Sequence, residues 1–342
     1  MDHSPKHGAA KAAAQPKTAM TKHASLMLLD KSFVEASLTF DVAERAVRES
    51  FILHSLRKGR GFPVVRERLA DGSIFGIKSG MVEEQGLLGF KAAGFWPANR
   101  RISADAHQAT VMLFDPGTGR PLCMVDGNAI TTLRTGAAGG IALRLLARPE
   151  SRQLCVFGTG VQARINTQFA LRVLPGLNAV RYISIDGKPD TSFEAALGKQ
   201  CDIAAASNAN DAVANSDIVI TATPGGGPLF DSSAVQPGTH LNCVGADTAG
   251  KRELPSGLLE RSIVVVDDQE QASNLGESQW APGVAGIEIG AFLSGQTQAQ
   301  RGLDDITVFD MTGLALQDLT VARLLYMHAL ETQSGTQIAW PW

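Results

Sequence analysis

The pattern Gly158-Thr159-Gly160-Val161-Gln162-Ala163 follows the apolar run Leu154-Cys155-Val156-Phe157 and opens a helical stretch through Leu171. In that strand, turn and helix context the first glycine permits a tight turn. The second lets backbone amides approach a pyrophosphate, and the small Ala163 lets the helix lie close to its strand. The helix N-terminus then faces the phosphates. Asp186, 23 residues after Ala163, is read as the end of the second strand. A carboxylate there accepts hydrogen bonds from both adenosine ribose hydroxyls and repels a 2′-phosphate, which favours NAD over NADP. Lys188 nearby could still accommodate a phosphate, and an ordinary Asp186-Gly187 turn is the alternative. Thr221-Ala222-Thr223-Pro224, after a strand at 218–220, would place hydroxyls and backbone beside the nicotinamide half; a loop with capping threonines fits the spacing as well.

Other side-chain chemistry is sparse. Cys123, Cys155, Cys201 and Cys243 stand 32, 46 and 42 residues apart, which suits neither a metal knuckle nor a small disulfide scaffold. They read as reduced core residues of a cytoplasmic protein. The seven histidines show no ligand spacing, so no metal is expected.

The elements that must hold these residues change in texture along the chain. A helix at 40–57 is followed by short strand-like runs at 62–65, 73–77, 87–91 and 110–114, separated by turn signals such as Asp71-Gly72 and Asp115-Pro116-Gly117. That half predicts an antiparallel sheet. From 134 a small-residue helix to 146 leads into alternating strands and helices, with strands at 153–157, 181–185, 218–221, 240–244, 262–266 and 306–309. Such alternation predicts a parallel sheet, hence an α/β Rossmann domain. A closing helix at 313–326 is expected to pack back on the first half.

Charge sets limits on partners. With 31 basic and 34 acidic residues there is no field to gather nucleic acid or an anionic membrane surface, so a small molecule is the expected ligand. Arg144 interrupts the best apolar run, at 141–147, far short of the about 18 residues a membrane span needs. Residues 1–25 carry four lysines and one acid without an apolar signal segment, and read as a flexible tail. Their lack of arginine makes an organelle transit peptide the weaker alternative.

Four blocks together resemble the ornithine cyclodeaminase/μ-crystallin family over residues 26–326. They are Gly89-Phe90-Lys91-Ala92-Ala93-Gly94-Phe95-Trp96-Pro97-Ala98-Asn99, Ile130-Thr131-Thr132-Leu133-Arg134-Thr135, the Gly158 turn continuing to Arg164, and Val244-Gly245-Ala246-Asp247 with Gly250-Lys251. The resemblance implies a central Rossmann domain, 135–313, and an α+β substrate-binding and dimerisation domain built from 26–134 and 314–342. It also implies a homodimer, which the many short strand edges of the first half favour independently. The chemistry implied is hydride transfer between a nicotinamide and the α-carbon of an amino or imino acid.

Roles follow from the same resemblance. Lys91, Arg134 and Arg66 match the carboxylate-binding residues, with Arg68 an alternative to Arg66, and Lys91 is also read as a catalytic residue whose compact charge could shuttle protons. Asp247 matches the catalytic aspartate that binds the substrate nitrogen and exchanges its proton. Lys251 and Gly245 fall at the cofactor, and Thr135 is expected to support its phosphates or ribose. His107, with Gln108, is read as an auxiliary acid. Lys78 stands where ornithine cyclodeaminases carry a glutamate, so it would repel an ornithine ammonium and attract a second carboxylate. The blocks at 62–67, 75–80, 92–99 and 107–117 look closest to iminosuccinate reductases, whereas Val161 stands where those reductases carry histidine. The resulting expectation is an NADH-dependent reductase of a small α-imino acid, such as an iminosuccinate or ketimine reductase. Ornithine cyclodeaminase, an alanine dehydrogenase-type enzyme, a dinucleotide-binding μ-crystallin-like protein and a metal-dependent hydrolase are the alternatives.

Overall fold

A computed structural model of the chain describes residues 24–298 and 301–340. The first part contributes β1 (Ala24–Leu29), α1 (Lys31–Ser37), α2 (Phe40–Ser55), β2 (Gly59–Gly61), β3 (Val65–Arg68), β4 (Ile74–Val82), β5 (Leu87–Phe95), β6 (His107–Phe114), β7 (Pro121–Asp126) and α3 (Gly127–Leu146). Then come β8 (Gln153–Phe157), α4 (Val161–Val173), β9 (Ala179–Ile183), α5 (Thr191–Leu197), β10 (Asp202–Ala205), α6 (Ala209–Ala214), β11 (Ile218–Thr221) and β12 (His240–Cys243). β13 (Ser262–Val266), α7 (Gln269–Leu275), β14 (Ile287–Glu288), α8 (Ile289–Leu293), β15 (Ile306–Asp310), α9 (Ala315–Glu331) and β16 (Thr336–Trp340) follow.

The first sheet has the order β16-β1-β7-β6-β5-β4-β2, with β3 also paired to β4. It is mixed rather than wholly antiparallel, because β1 runs parallel to β7. The strand-like runs named from sequence do not include β1, β7 or β16. Leu and Met in β1 favour helix as much as strand, so only pairing decides its state. Residues 1–23 of the expected tail lie outside the described residues, while Ala24 and Ser25 already pair with Trp340 and Ala339. Of the run expected at 62–65 only Val65 is strand, the first residue of β3; 62–64 is a connection, and Pro63 within it has no N–H to give a ladder.

The second sheet runs β10-β9-β8-β11-β12-β15-β13-β14, every pair parallel. Its order reverses between β8 and β11, and ligands bind such sheets at the carboxyl ends beside that switch. This is the Rossmann arrangement that the alternating pattern predicts.

α3 ties the two sheets together. Asp126 caps it by accepting from the Ala129 N–H, so the helix begins at Gly127, seven residues before the expected start, and runs across the 134/135 division. It is buried on nearly every side. Gly136 and Gly140 lie against the ring of Phe169 in α4, where an added Cβ would come within 3.0 Å. α9 extends to Glu331, past the expected 326, and covers the first sheet. One apolar core passes through Val111 and Leu113 of β6, Leu316 and Leu319 of α9, Phe51 of α2 and Phe309 of β15.

Register then aims two lysines. Lys78 on β4 lies opposite Lys91 on β5. Gly80 and Gly89, two residues away, sit under Leu316 and Leu319 of α9. Side chains two apart share a face, so both lysines point at α9.

Candidate active site

The dinucleotide turn has the geometry its glycines suggest. Gly158 has φ of +99°, and a Cβ there would stand 2.7 Å from the Ala222 carbonyl oxygen, so this turn and the Thr221–Thr223 loop touch. Gly160 caps α4 with no side-chain bond, its surroundings are open, and Val161 is exposed. The first amides of α4 are therefore free to meet an anion. These features fit a dinucleotide pyrophosphate. The Thr159 side chain bonds to Asp190, and the Oε1 of Gln162 is buried without a protein partner.

The Thr221-Ala222-Thr223 loop is fixed from behind by a residue absent from the sequence reading. Glu253, fully buried, accepts from Thr223 N–H at 2.7 Å, Thr223 Oγ1 at 2.6 Å and Gly245 N–H at 2.9 Å. A Cβ on Gly245 would meet the Thr223 carbonyl oxygen at 2.3 Å and Glu253 at 2.5 Å, so the two loops can close only over glycine. Burial raises the Glu253 carboxyl, against the hydrogen bonds of Thr223, Thr221 and Gly245. Behind it Glu277 accepts from the Glu253 N–H at 2.6 Å, and burial with the nearby Asp310 pushes Glu277 up to about 8.

Asp186 departs from its expected place. β9 ends at Ile183, and Asp186 lies in the exposed turn beyond, where Oδ1 accepts from Lys188 N–H at 3.1 Å and from Ser184 Oγ at 3.3 Å. The Asp186-Gly187 turn is formed, and both of these bonds engage Oδ1 of the carboxylate. Thr135 is buried in α3 and donates to the Thr131 carbonyl at 2.7 Å, with no described contact to the dinucleotide turn.

On the other side stands a cationic cluster. Lys91 Nζ lies 2.8 Å from Oδ2 of Asp318 in α9 and 3.3 Å from Thr131 Oγ1. Arg134 Nε lies 3.3 Å from Oδ1 of the same carboxylate, and its Nη1 donates to Gln317 Oε1 at 3.0 Å. Lys78 Nζ donates to the carbonyls of Thr312 at 2.8 Å and Gly313 at 2.7 Å. Gly313 in turn lies against the Arg134 guanidinium. Burial, then Arg134, lowers Lys78 to about 8. Burial, with Arg134 and Lys78 working against Asp318, lowers Lys91 to about 7. Asp318 is also fully buried, which raises its carboxyl, but Lys91 and Arg134 outweigh this and hold it below the usual range. A cavity of about 640 Å³ opens beside Lys78, between the 59–64 segment and α7.

Asp247 stands just past β12. Its Oδ1 accepts from Lys251 Nζ at 2.8 Å, and its Oδ2 is 3.9 Å from Arg66 Nη2. Arg66 Nη1 also donates to Thr248 Oγ1. Burial raises Asp247, but Lys251, Arg66 and Lys78 overcome it, and the group is held well below the usual carboxylate range. Lys251, expected at the cofactor, is paired with Asp247 here. Thus Arg66, Lys78, Lys91, Arg134 and Lys251 face two carboxylates, Asp247 and Asp318. Asp318 and Gln317 could have been noticed as polar residues inside the apolar run Leu314-Ala315-Leu316-Gln317-Asp318-Leu319.

His107 Nδ1 is 3.1 Å from Asn128 Oδ1, while Asn128 Nδ2 donates to the His107 carbonyl. Asn128 therefore presents its oxygen to a protonated Nδ1. Burial and then Lys91 lower the His107 pKa, so the ring is neutral at neutral pH with Nε2 an acceptor. Gln108 is exposed and donates to the Asp105 carbonyl. Elsewhere the fold joins His54 to Asp268 at 2.9 Å and Glu288 at 3.6 Å. Burial lowers His54, but the two acids raise it to about 9, giving a buried imidazolium rather than a free ligand nitrogen. Cys123, Cys155 and Cys243 are buried on β7, β8 and β12, and all four cysteines are free.

The model of the ornithine cyclodeaminase/mu-crystallin family matches residues 26–333. An archaeal alanine dehydrogenase dimer with bound NAD superposes with a TM-score of 0.85 at 32% identity, covering 93% of this chain and 100% of that one. The iminosuccinate reductase of Paracoccus denitrificans in complex with NAD+ gives 0.85 at 29%, with coverage of 93% and 100%. The Δ1-pyrroline-2-carboxylate reductase of Thermococcus litoralis in complex with NADH and L-proline gives 0.84 at 28%, with coverage of 91% and 100%.

Proposed function

The chain belongs to the ornithine cyclodeaminase/mu-crystallin family, and on that premise we propose that it is an NAD(H)-dependent oxidoreductase reducing a small α-imino acid to the α-amino acid. The observation that carries this reading is that Lys78 lies within electrostatic reach both of Arg134, which shares Asp318 with Lys91, and of Asp247 past the carboxyl edge of the Rossmann sheet. NAD is the preferred cofactor, as in the structures it resembles.

Bound NADH supplies the hydride to the imine carbon. Lys91 and Arg134 hold the α-carboxylate, which fixes that carbon. Asp247, ionised at neutral pH, pairs with the protonated imine nitrogen and keeps the carbon electron-poor. Hydride addition turns the iminium into a neutral amine, so no proton need arrive in that step. Lys91, near pH 7, is matched to later proton exchange. Glu253 and Gly245 keep the Thr223 and Asp247 loops together.

A dicarboxylic imino acid such as iminosuccinate is favoured by Lys78, a buried cation near Arg134 whose described hydrogen bonds go only to backbone carbonyls. We take 26–134 with 314–342 as the substrate and dimer unit and 135–313 as the nucleotide unit, α3 being shared between them. A homodimer in the cytoplasm completes the proposal; the alanine dehydrogenase relative is a dimer, and no described helix is long and apolar enough to cross a membrane.

The test is a panel of NADH and NADPH oxidation assays with ammonia or methylamine and pyruvate, oxaloacetate or glyoxylate, plus cyclic imines and ornithine. Oxidation of NADH with an imino acid is expected. Release of proline and ammonia from ornithine, with no NADH oxidised by any imino acid, would overturn the reading.

A further inference from the structure

Asp318 is a full carboxylate inside an apolar helix, with no water-exposed surface to account for it. Among the described residues it is the only acid within ion-pair distance of Lys91 or Arg134, and Lys78 has none. Lys91 is faced by Asp318 from α9, by Thr131 and Arg134 from α3, by Lys78 across the β4/β5 register and by the neutral His107 from β6. Of these only Asp318 is negative. Arg134 is held at two points, its Nε in ion-pair distance of Asp318 and its Nη1 donating to Gln317, and no described hydrogen bond engages its Nη2.

We propose that Asp318 is the positioning residue of the carboxylate clamp: it keeps Lys91 as an ammonium and turns Arg134 so that Nη2 meets the incoming carboxylate. The inference rests on reading Lys91 and Arg134 as that clamp. Without Asp318, three buried cations would repel one another, and the lysine would be the group able to shed its charge. An empty site with Asp318 in place is then already oriented for an anion, which reduces what binding must reorganise.

The experiment compares wild type, Asp318→Asn and Asp318→Glu as full chains, following kcat/KM for an imino acid from about pH 6 to about pH 10. In wild type kcat/KM falls as pH rises through the Lys91 titration. In Asp318→Asn that falling limb moves to lower pH by about one to three units. KM for the imino acid rises while KM for NADH holds, and Asp318→Glu restores part of the limb. A merely structural role would lower activity equally at every pH. An Asp318→Asn limb in the wild-type position overturns the proposal. If Asp318→Asn does not fold, Asp318→Glu decides: the longer side chain displaces the carboxylate from Lys91 and Arg134, so an unchanged limb together with an unchanged KM for the imino acid overturns the proposal.

Calorimetric binding of pyruvate to the enzyme with NAD+, over the same pH range, separates this inference from the functional reading. A shifted binding limb without turnover of any imino acid sinks the reaction assigned above and leaves Asp318 in its role. An unshifted binding limb sinks Asp318.

Discussion

Replacing Glu253 by Gln changes no volume and removes one charge. Its carboxylate accepts three hydrogen bonds, two from Thr223 and one from Gly245, in a site with no exposure. The amide retains one oxygen, which can stay with Thr223, while its NH2 is turned on the Gly245 N–H. Donor then faces donor. A buried N–H left without an acceptor costs about 1–3 kcal/mol. The two bonds to Thr223 lose their charge assistance, about 1 kcal/mol more. Relief of the buried charge offsets part of this, as the raised Glu253 pKa indicates. The net expectation is a loss of about 2 kcal/mol, read as a Tm lower by about 3–6 °C. Because the strain falls between the Thr223 and Gly245 loops, kcat/KM for NADH-dependent reduction should drop at least about 10-fold. Scanning calorimetry and steady-state kinetics measure both. A Glu253→Gln protein with unchanged Tm and kcat/KM within about twofold would show that this carboxylate does not hold the loops, and the reasoning from burial would fail.

Gly158→Ala places a Cβ 2.7 Å from the Ala222 oxygen at φ of +99°, so NADH affinity measured by fluorescence quenching should weaken about 10-fold or more; unchanged affinity would remove the turn from the cofactor site. Lys78→Met should lower kcat/KM for oxaloacetate with ammonia about 10- to 100-fold while changing that for pyruvate with ammonia little, since a second carboxylate loses its counter-charge. Equal losses on both would deny Lys78 any part in specificity. His54 has its folded pKa raised from 6.5 to about 9, so the stability it confers is full below pH 6.5 and is lost as pH rises through 9. His54→Gln should therefore cost up to about 3 kcal/mol near pH 6 and little above pH 9 in urea titrations, and a pH-independent cost would refute the ion pair.

Local signals made much of the Rossmann half legible. The run before Gly158, the small Ala163 and the alternation of apolar strands with helices depend on residues close in sequence, and the sheet follows them. One boundary was misplaced although its signal is local: α3 starts at Gly127 because Asp126 caps it through the Ala129 N–H, and the surrounding elements bury the glycines that made this helix look weak in sequence. At Asp186 the strand end itself was misjudged, because β9 stops at Ile183 and the turn that follows is closed by bonds from Lys188 N–H and Ser184 Oγ to the Asp186 carboxylate.

The sequence by itself determined which chemical groups were present and which short elements carried them: the glycine turn, the cations Lys78, Lys91 and Arg134, and an aspartate beyond β12. Only the tertiary structure decided how their charges are matched. Asp318 and Glu253 lie 184 and 30 residues from Arg134 and Thr223 respectively. Electrostatic pairing in a buried site depends on ångström distances and lost water, neither of which sequence separation encodes.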